Sequence, residues 1–173
     1  MYKRQGRNRT KPLIAACDGP ALAGGTEIVL ACDLVVASTE ARFGVPEVKR
    51  SLVAAAGGLF RLPKVLPRQI ANELILTGDP ISAERAYGFG LVNELCEPGN
   101  AVTAATALAT RIAVNAPLAV QESLAVVRDS AGVSDDEAFA LSTAAIRRLS
   151  KTEDYAEGPR AFIEKRDPVW KGR

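Results

Sequence analysis

The sequence predicts an α/β chain that turns all-helical beyond Pro98, and three observations predict it. Residues 13–17 (LIAAC) and 34–37 (LVVA) are short, continuous apolar runs, the pattern of strands covered on both faces. A segment of helical composition lies between them, and further ones closed by glycine follow. Beyond Pro98 the apolar runs stop, and alanine-rich stretches of helix length follow each other to the end.

Taken in order, residues 13–17 form a buried strand that stops at the turn signal Asp18-Gly19-Pro20. Residues 21–25 are a loop of small side chains, and residues 26–31 a helix with Glu27 in its first turn. Residues 34–37 are the second buried strand. Residues 42–47 form an extended piece running into a loop, since Val45 precedes a proline and is steered out of the helical region. Gly57-Gly58 opens a segment through Leu62. Pro67 suits a first helical position, and the helix it starts ends near Thr77 with Gly78 as its stop. Ser82 caps a short helix through Tyr87, closed by Gly88 or Gly90. Residues 91–95 read as a last edge strand. Residues 103–115, 117–129 and 134–149 read as helices, the last with a capping box of Ser134 and Glu137. A further helix begins at Thr152 and includes Phe162 and Lys165.

Composition narrows the chemistry. Lys and Arg number 22 against 20 Asp and Glu, so neither nucleic acid nor an anionic membrane is expected as a partner. No apolar run approaches the ~20 residues of a membrane span, and the first residues lack the apolar stretch of a signal peptide. Cys17, Cys32 and Cys96 are odd in number and sit among apolar neighbours, which suits reduced thiols in a cytoplasmic protein. Histidine is absent. That removes Ser-His and Cys-His catalysis within these residues, and no metal-ligand spacing is present. The remaining candidate acids and bases are carboxylates, lysines, tyrosines and cysteines.

Two carboxylates stand out by position. Gly24-Gly25 lies directly before the helix of Glu27. Such glycines let a backbone approach a ligand and present amides to negative charge, and they equally serve to pack a strand on a helix. Glu27 alone is ambiguous in the same way, because acids are common in first turns. Glu47 follows Val45-Pro46 in a loop that proline stiffens. A pair of acids divides proton transfers when their environments differ, although most glutamate pairs are solvated surface residues.

Many segments in the right order resemble the enoyl-CoA hydratase-like (crotonase) family. They are Lys11-Pro12-Leu13-Ile14-Ala15-Ala16, Gly19, residues 21–27 (ALAGGTE), residues 31–34 (ACDL) and residues 43–47 (FGVPE). Gly57-Gly58, Arg61-Leu62, Leu76-Thr77-Gly78, Ile81-Ser82-Ala83, Ala86, Gly90-Leu91-Val92 and residues 162–166 (FIEKR) continue the match. The resemblance covers residues 11–173 and implies a truncated crotonase-type ββα spiral core followed by a helical trimerisation region. It implies that Gly24 gives one oxyanion-hole amide and that Glu27 and Glu47 are the catalytic pair of a hydratase adding water to a 2-enoyl-CoA in fatty-acid or related acyl-CoA metabolism. CoA is then part of the substrate, and no separate cofactor or metal is expected. Phe162 and Lys165, plain packing and helix-end residues by themselves, match groups that approach the CoA nucleotide. The other readings are isomerisation or thioester hydrolysis on the same scaffold, and a non-catalytic assembly remnant.

The resemblance sets further expectations. Residues 1–10 are read as a disordered or non-native leader, 11–98 as a partial core carrying the glutamates and 99–173 as the helical region, assembling as a homo-trimer or hexamer. The family's N-terminal portion, with its second oxyanion amide, has no counterpart before Lys11, so hydration is expected to be impaired. Ala55 stands where the family has a glycine that helps hold the catalytic water, and its methyl is expected to narrow that pocket or shift substrate choice. Ala23 replaces a common glycine, which reads as the milder change.

Overall fold

A computed structural model describes residues 9–173. Most of the leader expected over residues 1–10 therefore lies outside the described residues. The chain divides into two compact units, one of Leu13–Leu108 and one of Arg9–Pro12 with Ala109–Arg173.

The first unit is built on two small sheets. Strands β1 (Ile14–Cys17), β3 (Leu34–Ser38) and β6 (Glu94–Cys96) form one, all parallel, in the order β1-β3-β6. The apolar run of β3 is central, as its near-complete burial requires. Strand β2 (Pro20–Leu22) pairs parallel with β4 (Arg42–Gly44), which pairs antiparallel with β5 (Ile81–Ser82). Helices α1 (Gly24–Val29), α2 (Gly58–Val65), α3 (Arg68–Thr77) and α4 (Ala83–Gly88) connect these strands. The core joins few large side chains, Phe43, Leu62 and Leu74, to many small ones, including Ala37, Ala41, Ala71, Ala83 and Ala86. The scarcity of aromatics is met by close backbone approach. A Cβ on Gly44 would lie 2.9 Å from Pro80 Cα, so only glycine fits there.

Several expectations hold locally. Gly78 closes α3 in the left-handed conformation, and Ser82 caps α4 by accepting the Arg85 amide. Others shift. The turn and loop expected around Pro20 to Leu22 is strand β2, too short to show a period and defined only by its partner β4. Helix α1 starts at Gly24, two residues before Thr26. The loop expected at Glu47 is a 3-10 turn, Pro46–Arg50, with proline in its first position. The last strand is shorter than expected. Asn93 extends it instead, since its backbone amide donates to Val35 O and its side-chain oxygen accepts from Val35 N, each at 2.8 Å.

Helix α5 (Ala101–Ala113) spans the division between the units. In the second unit α6 (Pro117–Asp129) packs against α7 (Asp135–Leu149), clamped by Arg148 on Glu122 at 2.9 and 2.6 Å. The Ser134–Glu137 capping box is present at the start of α7. Helix α8 (Glu153–Glu164) follows, capped by Thr152. The chain then turns back along α8. Asp154 accepts the amides of Lys171 at 2.7 Å and Gly172 at 2.9 Å, and the Trp170 indole donates to Val114 O at 2.9 Å.

Candidate active site

The turn from β2 into α1 has a constrained backbone. Ala23 sits there at φ 52°, ψ −125°, a conformation natural to glycine and costly for alanine. The substitution that reads as mild in the sequence is therefore a strained one. Two bonds hold the turn: the Ala23 amide donates to Gly44 O at 2.9 Å, and the Glu27 amide donates to Ala23 O at 3.2 Å. Gly24 follows as the first residue of α1, so its amide belongs to the first-turn groups that a helix leaves without an internal acceptor.

Glu27 is 3% exposed, an unusual setting for a carboxylate. Its Oε1 accepts the Gly58 amide at 3.0 Å. That amide opens helix α2, where the helix dipole favours a negative partner. Gly58 has no room for a side chain. A Cβ would lie 2.7 Å from Ala54 Cβ and 3.3 Å from both Glu27 Oε1 and Val45 Cγ1. So the start of α2 touches Glu27 on one side and the segment entering the Glu47 turn on the other. The carboxylate of Glu27 is fixed by a backbone donor that the sequence marks only as a glycine pair.

Glu47 lies in the 3-10 turn, whose carbonyl bonds from Ser51 and Leu52 close it behind the residue. Its Oε2 is buried and accepts no hydrogen bond among the described residues. A buried carboxylate oxygen without a donor is costly unless something else approaches it. Gly78 supports this turn from below, since a Cβ there would lie 3.2 Å from Pro46 Cα. Lys49 and Asp79 pin its far end with an exposed ion pair at 2.5 Å.

Thr26 joins the two halves. It is fully buried, and its Oγ1 lies 2.8 Å from Gly44 O and 2.5 Å from Ala21 O while accepting the Gly44 amide at 3.0 Å. Nothing in the sequence singled it out. A hydroxyl beside a glutamate in a first turn has no signature of its own.

The structure thus brings Gly24, Glu27 and Glu47 onto adjoining segments of one unit. It does not bring Ala55 into this arrangement. Ala55 is exposed, and the methyl against Gly58 is that of Ala54. Phe162 and Lys165 belong to the second unit. Phe162 is 85% exposed on α8, and Lys165, expected within the helix, is its left-handed cap at φ 54°. The bond from the Arg166 amide to Ala161 O, at 3.1 Å, makes that turn and ends the helix. Among the described residues no cluster of three or more His, Cys, Asp or Glu is placed to hold a metal. Nor is any helix among them long and apolar enough to cross a membrane.

Short parallel strands, a glycine-rich turn into a helix and two glutamates on neighbouring segments define a class. The chain belongs to the enoyl-CoA hydratase/isomerase family, whose pattern matches residues 4–173. It is 43% identical over 169 residues to the enoyl-CoA hydratase EchA19 of Mycobacterium tuberculosis, covering 98% of this chain and 64% of that protein. It is 39% identical over 170 residues to a carnitinyl-CoA dehydratase of Escherichia coli, covering 96% of this chain and 65% of the relative. The crystal structure of the enoyl-CoA hydratase EchA1 from Mycobacterium marinum superposes with a TM-score of 0.94 at 51% identity, over 98% of this chain and 67% of that one. The chain thus spans slightly under two thirds of the length of these curated relatives.

Proposed function

We propose that this protein catalyses the reversible addition of water to a 2-enoyl-CoA thioester, with Glu27 and Glu47 as its two catalytic carboxylates. The observation that carries this is their contrasted setting. Glu27 has one oxygen fixed on the Gly58 amide, whereas Glu47 keeps a buried oxygen without a donor. A water between them meets a positioned acceptor on one side and, on the other, a buried carboxyl oxygen that no protein group contacts by hydrogen bond among the described residues. The similarity to proteins named enoyl-CoA hydratase and carnitinyl-CoA dehydratase supports the same reading.

In this mechanism both acids hold the water. Glu27 assists attack of its oxygen on the β-carbon, and the π electrons move toward the thioester carbonyl. The resulting enolate oxygen is stabilised by the Gly24 amide. Glu47 supplies the proton to the α-carbon and is left ionised, while Glu27 is left with the proton taken from water; passage of that proton from Glu27 to Glu47 restores the starting state. The net change is one water added across one double bond. CoA is carried by the substrate, and no further cofactor takes part. Phe162 and Lys165 are proposed contacts of the CoA nucleotide. Their exposure leaves both available to a ligand or a second subunit.

We also assign the protein to the cytoplasm, on an odd number of cysteines set among apolar neighbours, and to acyl-CoA breakdown as the setting of the reaction. Assembly as a trimer or hexamer is proposed through the second unit, where Phe139, Phe162 and Ile163 are 73%, 85% and 78% exposed.

The test is kinetic. Glu27→Gln and Glu47→Gln should each lower crotonyl-CoA hydration by about 10²-fold or more, with the double variant close to the worse single, because groups acting on one water are not additive. Full activity in either single variant rejects the assignment. Product analysis separates hydration from double-bond migration and thioester cleavage.

A further inference from the structure

We propose that Thr26 is a positioning residue of this site, whose buried hydroxyl locks the helix bearing Glu27 to the strand that delivers Glu47. The proposal rests on the hydratase reading of the two glutamates. A threonine hydroxyl has one proton to give and two lone pairs to receive. Gly44 N–H takes one lone pair at 3.0 Å. Two carbonyls compete for the proton, Ala21 O at 2.5 Å and Gly44 O at 2.8 Å. Gly44 O already accepts the Ala23 amide, so the shorter contact assigns the proton to Ala21.

Each of these partners is near a reacting group in the chain. Ala21 precedes the strained turn into Gly24, Thr26 adjoins Glu27, and Gly44 leads through Val45-Pro46 into Glu47. One oxygen therefore holds all three segments in register. Gly44 cannot take up slack, because Pro80 lies against its Cα and the β2–β4 pairing fixes Leu22 opposite it. The side chain has no exposure, so water does not substitute for the hydroxyl. A purely structural threonine would affect stability alone. A positioning one also affects turnover, since displacement by ~1 Å costs about 10²-fold.

The experiment compares Thr26→Val, Thr26→Ser and Thr26→Ala with the wild-type protein, by kcat and KM for crotonyl-CoA, by the pH profile of kcat/KM, and by hydrogen exchange at the Gly44 amide. Valine keeps the shape and removes the hydroxyl. It should lower kcat by about 10–100-fold with KM changed by less than about threefold, and move the acidic limb of the profile. It should also speed Gly44 exchange by about tenfold or more, since that amide loses its acceptor. Serine should retain slow exchange and most of kcat. If the valine variant does not fold, the serine and alanine variants carry the decision. Serine must stay near wild type while alanine falls, and an equal fall in both overturns the proposal by making the methyl the important group. Unchanged Gly44 exchange in the valine or alanine variant overturns the clamp itself. Faster exchange with unchanged kcat leaves a bond without a catalytic role and overturns the positioning claim. A wild-type protein that hydrates no enoyl-CoA rejects the hydratase reading instead, a result that exchange at Gly44 does not mimic.

Discussion

At the residue scale, Ala23 shows how a methyl group that costs nothing in composition costs conformational energy in place. Its φ of 52° with ψ −125° lies where only glycine is relaxed, and such strain is worth ~1–3 kcal/mol. Part of that gain is lost when glycine also loosens the unfolded chain. Ala23→Gly is expected to raise stability by about 1 kcal/mol in urea unfolding. A lower midpoint in the glycine variant refutes the strain argument. The two glutamates stand out in the sequence through the family resemblance, since two glycines before one and Val-Pro before the other are ambiguous by themselves. What holds them was not legible. The Gly58 amide and the Thr26 hydroxyl act across 31 and 18 residues of chain, and no local pattern encodes a partner at that separation.

At the scale of elements, the returning tail shows the same division. Capping at Ser82 and Ser134 and the break at Gly78 were readable, because a cap involves only residues within one turn. Strand β2 was not, because a three-residue strand exists only through its partner. The tail has a testable electrostatic component. The Arg166 guanidinium, and after it the Val169 amide, hold the Glu157 carboxyl down at about 2 from its ordinary 4.5. Lys171, with Arg173, lowers Glu153 in the same direction. A depressed carboxyl pKa stabilises the folded tail at pH above the unfolded value, and the contribution is lost as pH falls through the folded one. Release is therefore expected between pH 4.5 and about 2, and the single Trp170 reports it by a red shift in emission. An emission maximum that stays constant across that window rules this out.

For the whole molecule, the exposed apolar side chains of the second unit decide the expectation. Phe162 and Ile163 stand side by side on α8 at 85% and 78% exposure, more than a soluble surface usually shows without a partner. Replacing both with serine is expected to shift sedimentation from an assembled to a smaller species. An unchanged sedimentation coefficient, or a wild-type monomer at micromolar concentration, argues against assembly through this face. The α/β-then-helical plan was readable from runs and caps. The sorting of the strands among the described residues into two sheets was not, since β1, β3 and β6 come together from separate parts of the chain.

That sheet order has a consequence in time. Strand β3 needs β1 before it and β6 far after it, and the Val35–Asn93 bond closes across 58 residues. The α6–α7 pair closes a connection of a few residues. Loop closure over long separations is slow, and helical hairpins form early. On dilution from denaturant, helical circular dichroism should thus recover before the Val35 amide gains protection. During that interval β3 has an open edge, and this is when the protein is most exposed to pairing with a neighbouring chain. Yield on refolding should fall with protein concentration during that slow phase alone, and rapid dilution should be the condition that preserves it.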